Sequence, residues 1–161
     1  MPSQAEIAET LWSAIKSDRT IMIGLEAEAD RSQPMTGLLE DEAPGPIWIF
    51  SARDVDLVQA IEGRPQGAIA TFASKGHDVF ASLRGRLTVA NDPAVIERLW
   101  NPFVAAWYEG GKTDPKLRLL RFDLDHAHVW LNENSLFAGL KLLLGADPKD
   151  EYGDKTADVS V

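Results

Sequence analysis

The chain has 161 residues, a formal net charge of −9 and no cysteine. This length fits one domain, and without cysteine there are no disulfides, thiol nucleophiles or thiolate metal sites. The acidic charge disfavours nucleic acid and anionic membranes as partners, and with no export signal or long apolar run we expect a cytoplasmic protein that binds neither.

The first forty residues predict one helix followed by two strands. Ser3 and Glu6 have capping-box spacing ahead of an apolar stripe, which predicts a helix over residues 3–17. Two strands are predicted next, over residues 20–29 and 34–39, and a polar turn over residues 30–32 joins them. Pro34 confines its end of the second strand to a sheet edge or a bulge.

Residues 46–63 change their hydrophobic period partway along. β-Branched and aromatic residues alternate from Ile47 to Phe50, and apolar residues then recur at helical spacing, so a strand leads into a helix over residues 54–62. The free N–H groups at that junction, beside Ser51 and Arg53, favour an anionic ligand. The alternative is that Asp54 is an ordinary N-cap and Arg53 a solvated side chain.

The rest of the chain predicts long strands and short helices. Strands are predicted over residues 67–73, 78–91 and 117–131, and helices begin at Asp92-Pro93, after Pro102 and at Asn134. Long, mostly antiparallel strands indicate a mainly β fold, a barrel with peripheral α-helices. We expect one domain over residues 1–145 and a flexible polar tail over residues 146–161.

Several kinds of chemistry lack the residues that they need. The chain has no serine-hydrolase elbow, P-loop or zinc-protease motif. His126 and His128 share a strand face and would need Asp78 or Asp123 as a third metal ligand. An exposed strand face is the alternative, and we predict no metal. The five tryptophans are typical either of core and interface anchors or of walls for a flat aromatic ligand.

Four segments together resemble a known family. They are Arg31 to Thr36, Ile47 to Asp54, Val79 to Gly85 and Leu99 to Trp107, the last followed by Gly110-Gly111-Lys112 and Asp114-Pro115. In these segments the chain resembles the general stress protein branch of the pyridoxamine phosphate oxidase-like family. The resemblance, from about residue 5 to residue 132, implies an FMN-binding split barrel that forms a homodimer.

The resemblance also implies which residues bind the flavin, FMN or, as the alternative, FAD. The main chain of one strand lies along the ring, namely Arg31, Ser32, Gln33, Pro34, Met35 and Thr36. Phe50 and Ser51 line the ring and the ribityl chain, and the turn that follows receives the phosphate. Trp130 approaches the flavin from the partner subunit. The tryptophans and phenylalanine at 100, 103 and 107 would either cover the partner or seal their own barrel.

The chain departs from the family pattern at three places. Gln33-Pro34-Met35 replaces the usual Arg-Pro-Met, which leaves Arg31, two residues earlier on the same strand face, to supply the charge. Leu57 replaces a phosphate-binding lysine, so the phosphate would rely on Ser51, Arg53 or another basic group such as Lys75. Trp130 is not followed by the substrate motif of the true oxidases, so we expect no pyridoxal phosphate formation.

Two functions follow from these expectations. The first is an FMN-dependent oxidoreductase acting on an unknown small redox substrate, with no catalytic side chain assigned. The alternatives are a non-catalytic flavin-binding or flavin-sequestering stress protein and, third, a barrel that has lost its flavin.

Overall fold

A computed structural model describes residues 2–42, 44–132 and 156–159. Its helices are α1 Gln4–Asp18, α2 Asp56–Ile61, α3 Pro93–Leu99 and α4 Pro102–Ala105. Its strands are β1 Thr20–Leu25, β2 Gln33–Thr36, β3 Ile47–Ala52, β4 Gln66–Ala73, β5 Val79–Val89, β6 Leu117–Leu131 and β7 Thr156–Val159. None of the described helices is long and apolar enough to cross a membrane.

The strands form one antiparallel sheet in the order β2-β1-β4-β5-β6-β3, and β7 also pairs with β6. Just beyond β2, Leu38 and Trp48 of β3 exchange backbone hydrogen bonds of 2.7 and 2.8 Å. This bridge joins the two ends of the sheet into a barrel. The predicted mainly β split barrel with peripheral helices is confirmed.

The barrel is filled from its inner strand faces and plugged by α1. Alternate residues of β4 and β5 are buried, from Ala68 to Phe72 and from Val79 to Leu87. Leu11 and Ile15 of α1 are fully buried in the same cluster. The predicted capping box is confirmed, because the Ser3 hydroxyl accepts from the N–H of Glu6 and the Glu6 carboxylate accepts from the N–H of Ser3.

A smaller apolar cluster lies outside the barrel, between β3, β6 and the helices α3 and α4. Trp48 and Leu119 face this cluster while their neighbours Ile49 and Leu120 face the barrel interior. Such alternation is the period of a strand buried on both faces. The cluster fixes α3 and α4 against the outside of the barrel.

A bulge in β6 reverses which of its side chains face outward. Opposite Arg84 and Gly85 the register skips Asp125, so that Arg84 pairs with His126 and Gly85 with Leu124. Before the bulge Leu120 and Phe122 point inward, and after it Ala127 and Val129 do. The bulge therefore places His126, His128 and Trp130 on the outer face.

The strand predicted over residues 20–29 is wrong in its second half. β1 ends at Leu25, the last residue paired with β4, and Glu26–Arg31 form a 3₁₀ turn with no buried residue. The alternation of Glu and Ala beyond Leu25 offers only small apolar side chains. Both residue types are poor strand formers, so the pattern does not sustain pairing.

The flexible tail predicted over residues 146–161 is wrong at Thr156–Val159, which form the strand β7. β7 pairs with β6 between Ala127 and Trp130, along the edge that β3 leaves free. Val159 is buried and Ala157 packs beside it, while Asp158 points outward. This short alternation is enough for pairing despite the low apolar content. The predicted helix at 134–145, and residues 146–155, lie outside the described residues.

Candidate functional site

The end of β1, the start of β2 and the start of α2 border a half-open cavity of about 410 Å³. The side chains that line it come from two segments far apart in the chain, namely Leu25, Glu28, Arg31 and Gln33, and Asp54, Val55, Asp56 and Leu57. The structure thus brings the 31–36 segment together with the strand-to-helix junction after β3. Both segments were predicted to belong to one site.

The charges around this cavity are mixed. Arg31 is exposed and takes part in none of the ion pairs among the described residues. It faces a lining that also holds three carboxylates, those of Glu28, Asp54 and Asp56. These carboxylates repel an anionic ligand, so a phosphate in this cavity depends on the guanidinium of Arg31.

The junction that leads into α2 has no side-chain cap. The N-cap residue is Val55, which has an extended backbone. The alternative in which Asp54 is the N-cap is therefore wrong. The first helical hydrogen bond runs from the N–H of Gln59 to the carbonyl of Val55, so the N–H groups of Asp56 and Leu57 precede it. Leu57 is buried and forms part of the cavity wall.

The predicted residues of β2 divide between its two faces. Gln33 lines the cavity, and Met35 packs against the barrel core. Pro34 and Thr36 are exposed on the outer face. The Ser32 hydroxyl, just before the strand, donates to the carbonyl of Ala29 at 3.0 Å and so closes the 3₁₀ turn.

Phe50 and Ser51 are held by an aromatic residue that the sequence did not single out. The ring centroid of Phe50 lies 6.0 Å from that of Trp100 and 6.4 Å from that of Tyr108. The Tyr108 hydroxyl donates to the carbonyl of Ser51 at 2.6 Å. Burial raises the pKa of Tyr108 to about 12, with a smaller repulsion from Asp114. The phenol therefore remains a neutral donor that fixes the end of β3.

Tyr108→Phe should lower the free energy of unfolding by about 1–2 kcal/mol at pH 8, because the part-buried Ser51 carbonyl loses its donor. Since the folded state raises the phenol pKa above its ordinary 10.0, the contribution of the phenol is present below pH 10 and lost as the pH rises toward 12. Urea unfolding of both proteins at pH 8 and pH 11 measures this. Equal stability at pH 8 would contradict the assignment.

The cations Arg53 and Lys75 lie outside the cavity. The N–H of Arg53 donates to the carbonyl of Lys116 at 2.9 Å, and its exposed side chain is close enough to Asp114 to help lower that carboxyl pKa, after the N–H groups of Lys116 and Gly110. Lys75 lies in the turn between β4 and β5, and its N–H donates to the carboxylate of Asp18 at the end of α1. Neither cation predicted for the phosphate lines the cavity, whereas Arg31, predicted only to replace the charge of the family's arginine, does.

Trp130 lies at a second, apolar groove of about 510 Å³ on the outer face of the sheet. Its other walls include Met22, Thr71, Phe80 and Ser82 from β1, β4 and β5. The indole is thus separate from the first cavity within one chain. The prediction that it approaches a flavin from a partner subunit remains a prediction.

Sequence reasoning missed two features that the folded chain assembles. Tyr108 is 57 residues from Ser51, and Asp158 is 30 residues from His128. Neither pair has a spacing that signals contact. The one available signal was the shared face of His126 and His128, which we interpreted as an exposed strand face.

The chain is thus a small split β-barrel with a few peripheral helices, in which β2 and the start of α2 border one cavity. A family model described as pyridoxamine 5'-phosphate oxidase like matches residues 6–152. The chain belongs to this family, and the resemblance that its motifs indicated is confirmed.

Solved structures of general stress proteins share the fold. A general stress family protein from Xanthomonas campestris pv. campestris is 52% identical with a TM-score of 0.76, over 82% of this chain and 91% of that one. The general stress FMN/FAD binding protein from Xanthomonas citri is 54% identical with a TM-score of 0.75, over 80% and 91%. General stress protein 26 from Jannaschia sp. CCS1 is 26% identical with a TM-score of 0.87, over 99% and 100%. Comparison with the curated proteins found no match.

Proposed function

We propose that the chain binds FMN along β2 and acts as a flavin-dependent oxidoreductase on a small redox substrate. The observation that carries this proposal is the cavity that joins Arg31 and Gln33 to the first residues of α2. It is supported by the 54% identity to a general stress protein described as FMN/FAD binding. FAD is the alternative flavin, and parallel titrations with FMN and FAD distinguish the two.

The residues around β2 fit the needs of a flavin. Arg31 would hold the phosphate, and Leu25 and Leu57 give the cavity apolar walls. β2 pairs with β1 along one edge, and within the described ranges no strand pairs with its other edge. Backbone N–H and C=O groups along that edge are therefore free to bind the polar rim of the ring. Ser32 precedes this strand, and Pro34, Met35 and Thr36 complete it.

FMN, when bound, supplies a ring that accepts a hydride and passes electrons on. The chain itself would bind and orient the flavin, with Leu25 and Leu57 as its apolar contacts. We assign no side chain as acid or base. Because Trp130 is followed by Leu-Asn-Glu-Asn, without the substrate motif of the true oxidases, we propose that the chain does not form pyridoxal phosphate.

The second candidate is a protein that holds flavin without turning it over. This candidate is supported by the sequence after Trp130, which lacks the substrate motif of the true oxidases, and by the lack of any side chain that we assign as acid or base. Quenching of flavin fluorescence on titration tests binding, and anaerobic mixing with NADH or NADPH tests turnover. Rapid bleaching of the bound flavin followed by reoxidation supports the oxidoreductase. A bound flavin that neither donor bleaches supports the second candidate, and a flavin spectrum that never changes contradicts both.

We also propose a homodimer, supported by exposed apolar side chains. Phe103 and Trp107 are 82% and 83% exposed, and Met22 is 41% exposed on the outer sheet face. Trp100 instead packs in its own chain, against Phe50 and Tyr108. These side chains, and Trp130 in the outer groove, would gain partners in a second copy.

A reducing cytoplasm remains the location that we propose, in accord with the lack of cysteine.

In sedimentation equilibrium the protein should have twice the 17.7 kDa mass of the chain. Replacing both Phe103 and Trp107 by serine should raise the dimer dissociation constant at least tenfold, because truncation of aromatic anchors buried in an interface commonly costs about 1–2 kcal/mol or more each. A matched pair of changes at exposed polar positions, Gln59→Ser and Glu109→Ser, should leave it unchanged. A wild-type protein that sediments as a monomer would refute the dimer.

A further inference from the structure

A single bridge closes the barrel between β2 and β3. Leu38 and Trp48 exchange backbone hydrogen bonds of 2.7 and 2.8 Å, and in the described part of the chain β2 and β3 share no other paired residues. Both strands nevertheless continue past this bridge. We call the gap between residues 34–36 of β2 and residues 50–52 of β3 the seam.

The bridge fixes the register in which the seam would close. In an antiparallel ladder, a step of two residues back along one strand matches a step of two residues forward along the other. Two residues before Leu38 is Thr36, and two residues after Trp48 is Phe50. Thr36 and Phe50 are therefore the next pair that can exchange hydrogen bonds.

The backbone groups of both residues face the seam. Along a strand, the N–H and C=O groups of alternate residues point to the same edge, so those of Thr36 and Phe50 point the same way as those of the bridge. Gly37, which lies between Thr36 and the bridge, donates to the carbonyl of Arg19 on the opposite edge at 2.6 Å. Within the described ranges, neither Thr36 nor Phe50 has a backbone partner across the seam.

Tyr108 fixes β3 to the outer helices at the seam. Its hydroxyl donates to the carbonyl of Ser51 at 2.6 Å, and its ring centroid lies 6.4 Å from that of Phe50. Trp100 packs against both rings, with centroid distances of 6.0 Å to each. The end of β3 is thus bound to the layer outside the barrel, whereas β2 is paired with β1.

We propose that Tyr108 is a positioning residue that holds the seam open and so leaves the backbone groups of Thr36 and Phe50 to a ligand. Loss of the phenol hydroxyl releases the end of β3. Because a backbone hydrogen bond in a ladder is modestly favoured over bonds to water, Thr36 and Phe50 then pair across the seam.

Closure of the seam is limited to this one pair. The next residue of β2 whose groups face the seam is Pro34, which has no N–H to donate. The carbonyl of Ala52, opposite Pro34 in this register, already accepts from the N–H of Val55 at 3.1 Å. The ladder therefore cannot extend past Thr36 and Phe50, and the seam has one open and one closed form.

The consequence for flavin rests on the proposed function, whereas closure of the seam does not. An open seam leaves the edge of β2 free to bind the polar rim of the ring, and a closed seam occupies that edge. A ligand that needs the open form binds more weakly in proportion to the fraction of open molecules. Because this effect concerns the ring, it applies to riboflavin as well as to FMN.

Amide hydrogen exchange of the full chain without flavin, followed by NMR, tests the seam. In Tyr108→Phe the protection factors of Thr36 and Phe50 should rise about fivefold, the size expected of one added backbone hydrogen bond. A nuclear Overhauser effect between the α-protons of Met35 and Ser51, the pair that closure brings together, should appear in the variant alone. A residue with a merely structural role would not raise protection on its removal.

Flavin titration of the same variant tests the link to the ligand. The dissociation constants of FMN and riboflavin should both rise about fivefold, in step with amide protection. Unchanged affinity for both flavins in a variant whose seam has closed would overturn the role in ligand binding. A wild type that binds neither flavin would contradict the proposed function, and amide protection would still decide whether Tyr108 holds the seam open.

Ser74→Ala is the matched control. Ser74 is buried, and its hydroxyl accepts from the N–H of Val79 at 3.0 Å in the turn between β4 and β5. This variant also loses a buried hydroxyl, and the protection of Thr36 and Phe50 should stay that of the wild type. Unchanged or lower protection of both amides in Tyr108→Phe, or an equal rise in Ser74→Ala, would overturn the proposal.

Discussion

Arg31→Gln should weaken FMN binding about 10- to 100-fold, because a charge-assisted bond from arginine to a phosphate is worth about 1.5–3 kcal/mol. Riboflavin, which has the same ring and no phosphate, should bind the variant and the wild type equally. Arg31 lines the cavity together with Glu28, Asp54 and Asp56, so its loss leaves an acidic lining around the phosphate. Equilibrium titration followed by flavin fluorescence measures both ligands.

Arg64→Gln is the matched control for this experiment. Arg64 is exposed just after α2, outside the cavity lining, and its replacement removes the same charge from the chain. FMN affinity should remain that of the wild type. Equal losses in both variants would show that net charge, and not the position of Arg31, controls binding. Equal losses for FMN and riboflavin in the Arg31 variant would place the effect on the ring.

Gly85→Ala should lower the free energy of unfolding by about 3 kcal/mol or more, since it adds a methyl group where the bulge has no space. A Cβ built on Gly85 would overlap the carbonyl oxygen of Asp123 and lie 3.0 Å from the Cα of Leu124. Both neighbours are backbone atoms, so the strands must move apart. Chemical denaturation with a fixed m-value measures the loss.

Gly45→Ala is the control, because a Cβ there meets its nearest atom at an ordinary 3.6 Å. Its stability should stay within about 0.5 kcal/mol of the wild type. The Gly85 variant should also disturb the outer face, since the bulge sets the direction of His126 and Trp130. A Gly85 variant as stable as the wild type would mean that β5 and β6 do not approach as closely as described.

The main strands and helices could be predicted from local pattern, and the failures have local causes. β6 was predicted with its bounds at Leu117 and Leu131, because alternation and apolar content agree along it. The bulge within it was missed, since a single glycine in the partner strand is a weak signal. Beyond Leu25, alternation without bulky residues misled the prediction, and at β7 sparse apolar content hid a real strand.

The candidate site was predictable in its segments and less so in its contacts. The resemblance indicated that residues 31–36 and the junction before α2 belong together, and the cavity contains both. Which cation lies there was not predictable, because Arg53 and Lys75 are directed elsewhere by backbone bonds to Lys116 and Asp18. Such bonds join residues 57 or more positions apart. The spacing of residues along the sequence does not indicate such hydrogen bonds.

Addition of FMN to ¹⁵N-labelled protein, followed by amide chemical shifts, tests the central claim most directly. We predict that the largest changes fall on Arg31 to Gln33 and Met35 and on Asp54 to Leu57, in the two segments that meet at the cavity. The turn at Lys75 and the exposed Arg64 should change little. No change at any amide, or changes confined to residues away from β2 and α2, would contradict the proposed flavin site.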